Sequence, residues 1–301
     1  MTTPKPKRKP GRPRSTDEWR EVTGALIRRP ETQGEVIVRF EDVWKSFGTK
    51  AIYEGVNLDV RRGEILTIMG GSGTGKSVLL KLLIGLHRPD KGRIWVGAKD
   101  ISTFAEDELL PVRRQIGMVF QGAALFDSLD VYENVAYAIR EHFDWTENEI
   151  RETVAEKLEL VGLPGTERLK PSDLSGGMKK RVGLARVLAT EADVLLYDEP
   201  TTGLDPTNTR RINELIRDVN ERVGVTSVVV THDMASAFEI SDRLAMLHGK
   251  TIAWTGTVAE AKAARDRASE EGARTELGRA DQSADQIVRE FIEGRVEEKS
   301  A

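Results

Sequence analysis

The sequence predicts an α/β domain around a mostly parallel β-sheet, and three observations carry that prediction. Short β-branched runs alternate along the chain with longer helical patterns. One run, EILTIM (64–69), leads directly through the glycine-rich stretch GGSGTGKS (70–77) into a helical pattern. Another, DVLLYD (193–198), is apolar over most of its length, as expected of a strand covered on both faces.

The elements follow in order from the composition change near residue 34. EVIVRFEDVW opens the folded region, 64–69 is a strand, and KSVLLKLLIGL (76–86) is a helix. GRIWVG (92–97) reads as a strand. TENEIRETVAEKLELVGL (146–163) reads as a helix, opened by a capping box in which Thr146 is followed three residues on by Glu149. A helix over 175–190 then precedes strands at 193–198 and 225–231. From about 258 the chain is charged and helical in pattern. Within it, 284–294 carries an apolar stripe of Ile287, Phe291 and Ile292, which is expected to pack against a subunit. Three regions result: a basic extension over 1–34, largely disordered with a short helix capped by Ser15 or Thr16, a domain over 35–257, and a helical extension over 258–301.

Composition narrows the chemistry. The 301 residues are 39% hydrophobic and 31% charged, enough to bury a substantial core, and the formal net charge is −4. There is no cysteine, which excludes disulfides, thiolate metal sites and thiol nucleophiles and suits a reducing compartment. The N-terminus has charge without a following apolar segment, unlike a secretory signal. No window approaches the roughly 20 apolar residues that span a bilayer, so action on a membrane would need other chains to cross it.

GGSGTGKS fits the pattern G-x-x-x-x-G-K-[ST] between a strand and a helix. Glycines at 70, 71, 73 and 75 (Gly70, Gly71, Gly73, Gly75), with Ser72 and Thr74, let backbone N–H groups face inward as an anion nest. Lys76 reaches the β- and γ-phosphates, and Ser77 offers a hydroxyl to Mg²⁺. At the end of DVLLYDEP, successive strand residues point to opposite sides, which separates the roles of Asp198 and Glu199. Asp198 is expected to bind Mg²⁺ and Glu199 to orient and polarise the attacking water.

With these motifs in place the chain resembles the ATP-binding subunits of ABC transporters. Their elements stand in order as the phosphate loop, the glutamine loop at Gln121, the signature LSGGM (174–178), the Walker B run VLLYDE, GLD (203–205) and the switch VVVTHD with His232. The resemblance implies a P-loop NTPase fold with a RecA-like α/β core, an antiparallel β subdomain and an α-helical signature subdomain. It implies ATP and Mg²⁺ as cofactors and a homodimer in which Ser175, Gly176 and Gly177 cap the γ-phosphate bound by the opposite subunit. Met178 stands where the family usually has Gln. Phe47 occupies the place of the aromatic that stacks on adenine, the alternative being a core aromatic near a strand end. His232 is implied to bond the γ-phosphate and support Glu199, Gln121 to sense the γ-phosphate and Mg²⁺, and Asp205 to lie at the nucleotide.

The segment after Gln121 is where such an ATPase meets its multi-spanning permease. Gly122, Ala123, Ala124, Leu125 and Phe126 are expected to form that contact, although each of Leu125 and Phe126 taken singly is equally well a core residue. FQGAALFDSLDVYENVAYAIREH, LSGGMKKRVGLARVLA and IVREFIEG together look like the ATPases of Mla- and Mce-type lipid transport systems, over roughly residues 36–295. That resemblance implies phospholipid transport, MCE-domain partners and a peripheral place on the cytoplasmic face of the inner membrane. The alternatives are an importer ATPase for a small polar solute and a non-transport, nucleic-acid-associated ABC protein. Against the latter, the span from Lys76 to Leu174 leaves no room for the coiled coil of DNA-repair members, and only one ATPase module is present. The basic stretch KPKRKPGRPR (5–14) is similar to an AT-hook, yet beside a membrane-complex ATPase it reads better as charge near anionic headgroups or as a solvated tail.

Overall fold

A computed structural model describes residues 34–272 and 284–293; the basic tail and its expected helix lie outside the described residues. The expected α/β class holds. The six-stranded sheet runs β10-β9-β3-β8-β7-β6, with β3 (Ile65–Met69), β6 (Ile116–Val119), β7 (Val194–Asp198), β8 (Thr226–Thr231) and β9 (Arg243–His248) parallel and β10 (Thr251–Thr257) antiparallel at the edge. A second, antiparallel sheet runs β2-β1-β4-β5, from β1 (Val36–Phe47), β2 (Lys50–Arg61), β4 (Lys91–Val96) and β5 (Lys99–Asp100).

The two-residue period of the strands divides the interior. Leu66, Ile68, Leu196, Val228 and Val230 face one core, shared with the antiparallel sheet and α1 (Lys76–Leu83). Their neighbours Leu195, Tyr197 and Val229 face a second core, shared with α3 (Val131–His142), α4 (Glu147–Leu160), α5 (Gly176–Leu188) and α6 (Pro206–Val223). Between these stretches lie α2 (Glu106–Gln115) and α7 (Met234–Ile240). Register then places the chemistry. Met69 pairs with Thr231 and Asp198 with Val230, so three strands end together and the loops that follow them converge on one edge.

Local sequence chemistry sets the helix ends. Thr146 and Glu149 form the expected reciprocal cap of α4. The first helix stops at Leu83, short of the expected 86, because Gly85 takes a left-handed turn (φ 68°) where a Cβ would lie 2.6 Å from Leu109.

The C-terminal stripe is corrected by one residue. In α9 (Ala284–Ile292) the buried side chains are Val288 and Phe291, with Ile292 partly buried beside them and Ile287 half-exposed. They pack in cis, against Ala261 and Ala264 of α8 (Val258–Gly272) and Met246 of β9. The Arg267–Asp285 ion pair (2.7 Å) and an Arg289 bond to the Ala268 carbonyl (3.0 Å) join the two helices. Each buried side chain contributes about 1.5–3 kcal/mol. At ~2–4 °C of Tm per kcal/mol for a domain of this size, truncation after residue 283 is expected to lower the melting temperature by several degrees. An unchanged melt would make the helix dispensable.

Candidate functional site

The phosphate-loop geometry follows from its glycines. A Cβ on Gly70 would lie 2.7 Å from Thr74 Oγ1, and one on Gly75 (φ 103°) would lie 2.5 Å from Ile52. The Tyr53 hydroxyl donates to the Gly75 carbonyl, which ties the antiparallel sheet to the loop. Tyr53 is fully buried, and burial pushes its ionisation far above the ordinary phenol range, so it stays a donor. Ser72 and Gly73 stand exposed at the loop's tip, and Thr74 donates to the Gly71 carbonyl (3.0 Å). Lys76, 7% exposed, donates to the Gly70 and Gly71 carbonyls (2.9 Å each) and sits 3.6 Å from Glu199.

Ser77 Oγ donates to Asp198 Oδ1 (2.7 Å) across the mouth of this loop. Two hard oxygen donors, one of them a carboxylate, beside a phosphate nest fit Mg²⁺, which takes one or two carboxylates and completes its shell with substrate oxygens.

Asp198 and Glu199 diverge, for a reason other than strand alternation. The strand ends at Asp198, and Glu199 takes a left-handed backbone (φ 50°), a conformation that costs a non-glycine residue about 1–3 kcal/mol. Its N–H donates to the Val230 carbonyl (2.9 Å), and its carboxylate turns toward the loop after β8. There His232 Nδ1 lies 2.8 Å from Oε2, and the Thr202 hydroxyl donates to the same oxygen (3.1 Å). A carboxylate only accepts, so Nδ1 carries the proton and Nε2 remains the free ring nitrogen. His232 is 61% exposed by side chain against 12% for Glu199. The oriented acid and the accessible imidazole form one unit.

The remaining residues named from sequence lie outside this cluster. Gln121 is exposed in the turn after β6 and joins none of the hydrogen bonds of the described residues. Asp205 caps α6, accepting from the N–H groups of Thr207 and Asn208 (3.0 Å each). Those bonds, the Asn208 N–H first, hold its carboxyl below the usual range. Ser175 caps α5 by accepting from the Met178 N–H (3.3 Å), and Ser175 and Gly176 are exposed. Gly177 is buried where a Cβ would meet Asn208 Oδ1 at 3.0 Å, and Met178 packs partly buried on the larger core. Phe47, 43% exposed, is no core aromatic; His87 meets it edge-on at 5.1 Å, and the Lys45 ammonium lies 5.3 Å from its centroid.

The segment after Gln121 splits in two. Ala123 is buried and Leu125 packs on the core, whereas Gly122, Ala124 and Phe126 face outward, so the apolar tip is half core and half surface. Phe126 leans on the exposed Tyr137 ring at 4.9 Å. Ala123 and Ala124 are both left-handed (φ 61° and 48°), and Arg186 holds them by donating to their carbonyls at 3.0 and 2.7 Å. Buried Asn134 fixes the tip, accepting from Phe126 N–H (2.8 Å) and donating to the carbonyls of Phe126, Leu129 and Asp130.

Three groups at the site were missed from sequence: Tyr53, Thr202 and Lys180. Thr202 had a local signal in its place three residues after Glu199; Tyr53 and Lys180 reach the site only through tertiary packing.

A family model described as "ABC transporter" matches residues 53–202. "Probable ribonucleotide transport ATP-binding protein mkl" of Mycobacterium leprae is 44% identical over 73% of this chain and 64% of its own length, so the chain spans less than two thirds of that relative. "Intermembrane phospholipid transport system ATP-binding protein MlaF" of Haemophilus influenzae is 43% identical over 70% of this chain and 80% of its own. "Methionine import ATP-binding protein MetN 2" of Rhodococcus jostii is 46% identical over 74% and 66%. Among solved structures, the dimeric bacterial ABC transporter cassette MJ0796 superposes with a TM-score of 0.68 at 31% identity, covering 73% of this chain and 98% of that one.

Proposed function

The chain belongs to the ABC transporter ATP-binding family and is an ATPase of that class; from that premise we propose that it powers phospholipid transport through a separate permease with MCE-domain partners. The observation that carries the lipid reading is the similarity to MlaF over 80% of that protein's length. The signature Met178 and the segment from Gln121 to Phe126 support it. No helix among the described residues is long and apolar enough to cross a membrane. In this reading the chain sits on the cytoplasmic face of the inner membrane.

Each side chain then has a task. Lys76 exchanges its bonds to the Gly70 and Gly71 carbonyls for the β- and γ-phosphate oxygens. Ser77 and Asp198 would hold Mg²⁺, which would supply neutralisation of the phosphate charge. Glu199 orients the attacking water and accepts its proton, with His232 and Thr202 fixing its carboxylate beside the γ-phosphate. Phe47 stacks on adenine, and Gln121 and Asp205 close on the site as the nucleotide binds. Ser175, Gly176 and Gly177 complete the site of the opposite subunit in a homodimer, for which the dimeric MJ0796 cassette is the precedent.

Docking centres on Phe126 with Gly122, Ala124 and Tyr137. Phe126→Asp is expected to abolish co-purification with the permease while nucleotide binding and melting temperature stay as in the parent, since a charge in a desolvated contact costs on the order of 2–5 kcal/mol. Leu125→Asp, by contrast, is expected to destabilise the fold. Undiminished complex with folded Phe126→Asp would place the interface elsewhere. Affinity capture of the full chain from detergent-solubilised membranes tests the cargo. A multi-spanning permease with an MCE-domain protein and bound phospholipid is expected. The second reading, small-solute import, is favoured by the MetN similarity and would be signalled by a solute-binding protein in place of the MCE protein.

A further inference from the structure

Lys180 lies on the buried face of α5, in the stripe that includes Gly177, Leu184 and Val187, and is only 9% exposed. An ammonium in an apolar stripe is costly to desolvate, and a methionine of similar length would fill the space without that cost. The one hydrogen-bond acceptor it reaches among the described residues is the backbone carbonyl of Glu199, at 3.4 Å. That carbonyl also accepts from the Thr202 N–H (3.3 Å) and belongs to the left-handed residue whose N–H is held by Val230, so Lys180 and Val230 pin the kink from outside β7 and its own turn. The Glu199 side chain has Lys76, His232, Thr202 and Thr231 around it. Of the two lysines buried among the described residues, Lys76 bonds the phosphate-loop carbonyls and Lys180 does not.

We propose that Lys180 is a positioning residue for Glu199: its ammonium clamps the Glu199 carbonyl and preserves the left-handed kink, so the carboxylate stays aimed at the water when Lys76 is drawn to the phosphates. The proposal rests on the reading of Glu199 as the water-orienting group. Burial lowers the Lys180 pKa, and the Glu199 charge opposes that shift. The clamp also fastens the signature helix, whose exposed N-terminus carries Ser175, to the catalytic turn of the same chain.

The test uses the full chain, with Lys180→Met, Lys180→Arg and Glu199→Gln. In the nucleotide-free protein, hydrogen exchange of amides 198–203 in Lys180→Met is expected to rise about tenfold, the equivalent of one hydrogen bond to a charged group. Its kcat for ATP is expected to fall about tenfold with KM within about twofold, and Lys180→Arg is expected to restore both readouts. In a Glu199→Gln background, Lys180→Met is expected to add nothing. Wild-type exchange and kcat in Lys180→Met would overturn the proposal, as would a loss confined to KM or a failure of arginine to rescue. Should Lys180→Met not fold, Lys180→Gln carries the same comparison. Wild-type turnover by Glu199→Gln itself would instead sink the catalytic reading, while the exchange data would still judge the clamp.

Discussion

Glu199→Gln is expected to lower ATP turnover by about 10²–10⁴-fold, the usual contribution of a positioned general base, with ATP affinity nearly unchanged. The amide keeps the size of the carboxylate and its Thr202 contact but cannot accept the water's proton. His232 Nδ1–H, now 2.8 Å from a carboxylate oxygen, would retain an acceptor only in one amide orientation. Because the change acts on the chemical step, kcat falls and the ATP-bound state accumulates. The measurement is single-turnover hydrolysis by the full chain, and a wild-type rate would remove Glu199 from the catalytic role.

Lys76→Ala is expected to act one step earlier. Lys76 is buried, its ammonium bonds two loop carbonyls, and Glu199 lies 3.6 Å away. Removing one partner from a buried charge pair costs about 3–5 kcal/mol, and in the proposed function the same group is the one offered to the phosphates. ATP affinity is therefore expected to fall by ~10²-fold or more. Titration with a fluorescent ATP analogue reads it directly; retained affinity with lost turnover would move Lys76 from binding to chemistry.

Much of this site was legible in the sequence because its parts are contiguous. GGSGTGKS carries its own turn, nest, lysine and hydroxyl, and its context between β3 and α1 follows from hydrophobic pattern alone. The convergence of Asp198 and His232 on that loop follows from the parallel order of β3, β8 and β7. What sequence could not supply was backbone conformation in residues that seldom adopt it. Glu199, Ala123 and Ala124 are left-handed without being glycine, and each is held there by a partner distant in sequence, Val230 and Lys180 for the first and Arg186 for the other two. The same limit explains the misplaced stripe in α9. Ile287 and Val288 are equally apolar, and only the position of α8 decides which of them faces inward.

In the proposed function, Ser175 of one copy completes the ATP site built by Lys76, Asp198 and Glu199 of another. Light scattering on full-length Glu199→Gln in Mg-ATP tests it most directly. The expected mass is twice the 33.5 kDa of one chain, falling back to one chain when Ser175→Arg is added. A species that stays at one chain with ATP bound, or a dimer indifferent to Ser175→Arg, would contradict the shared site.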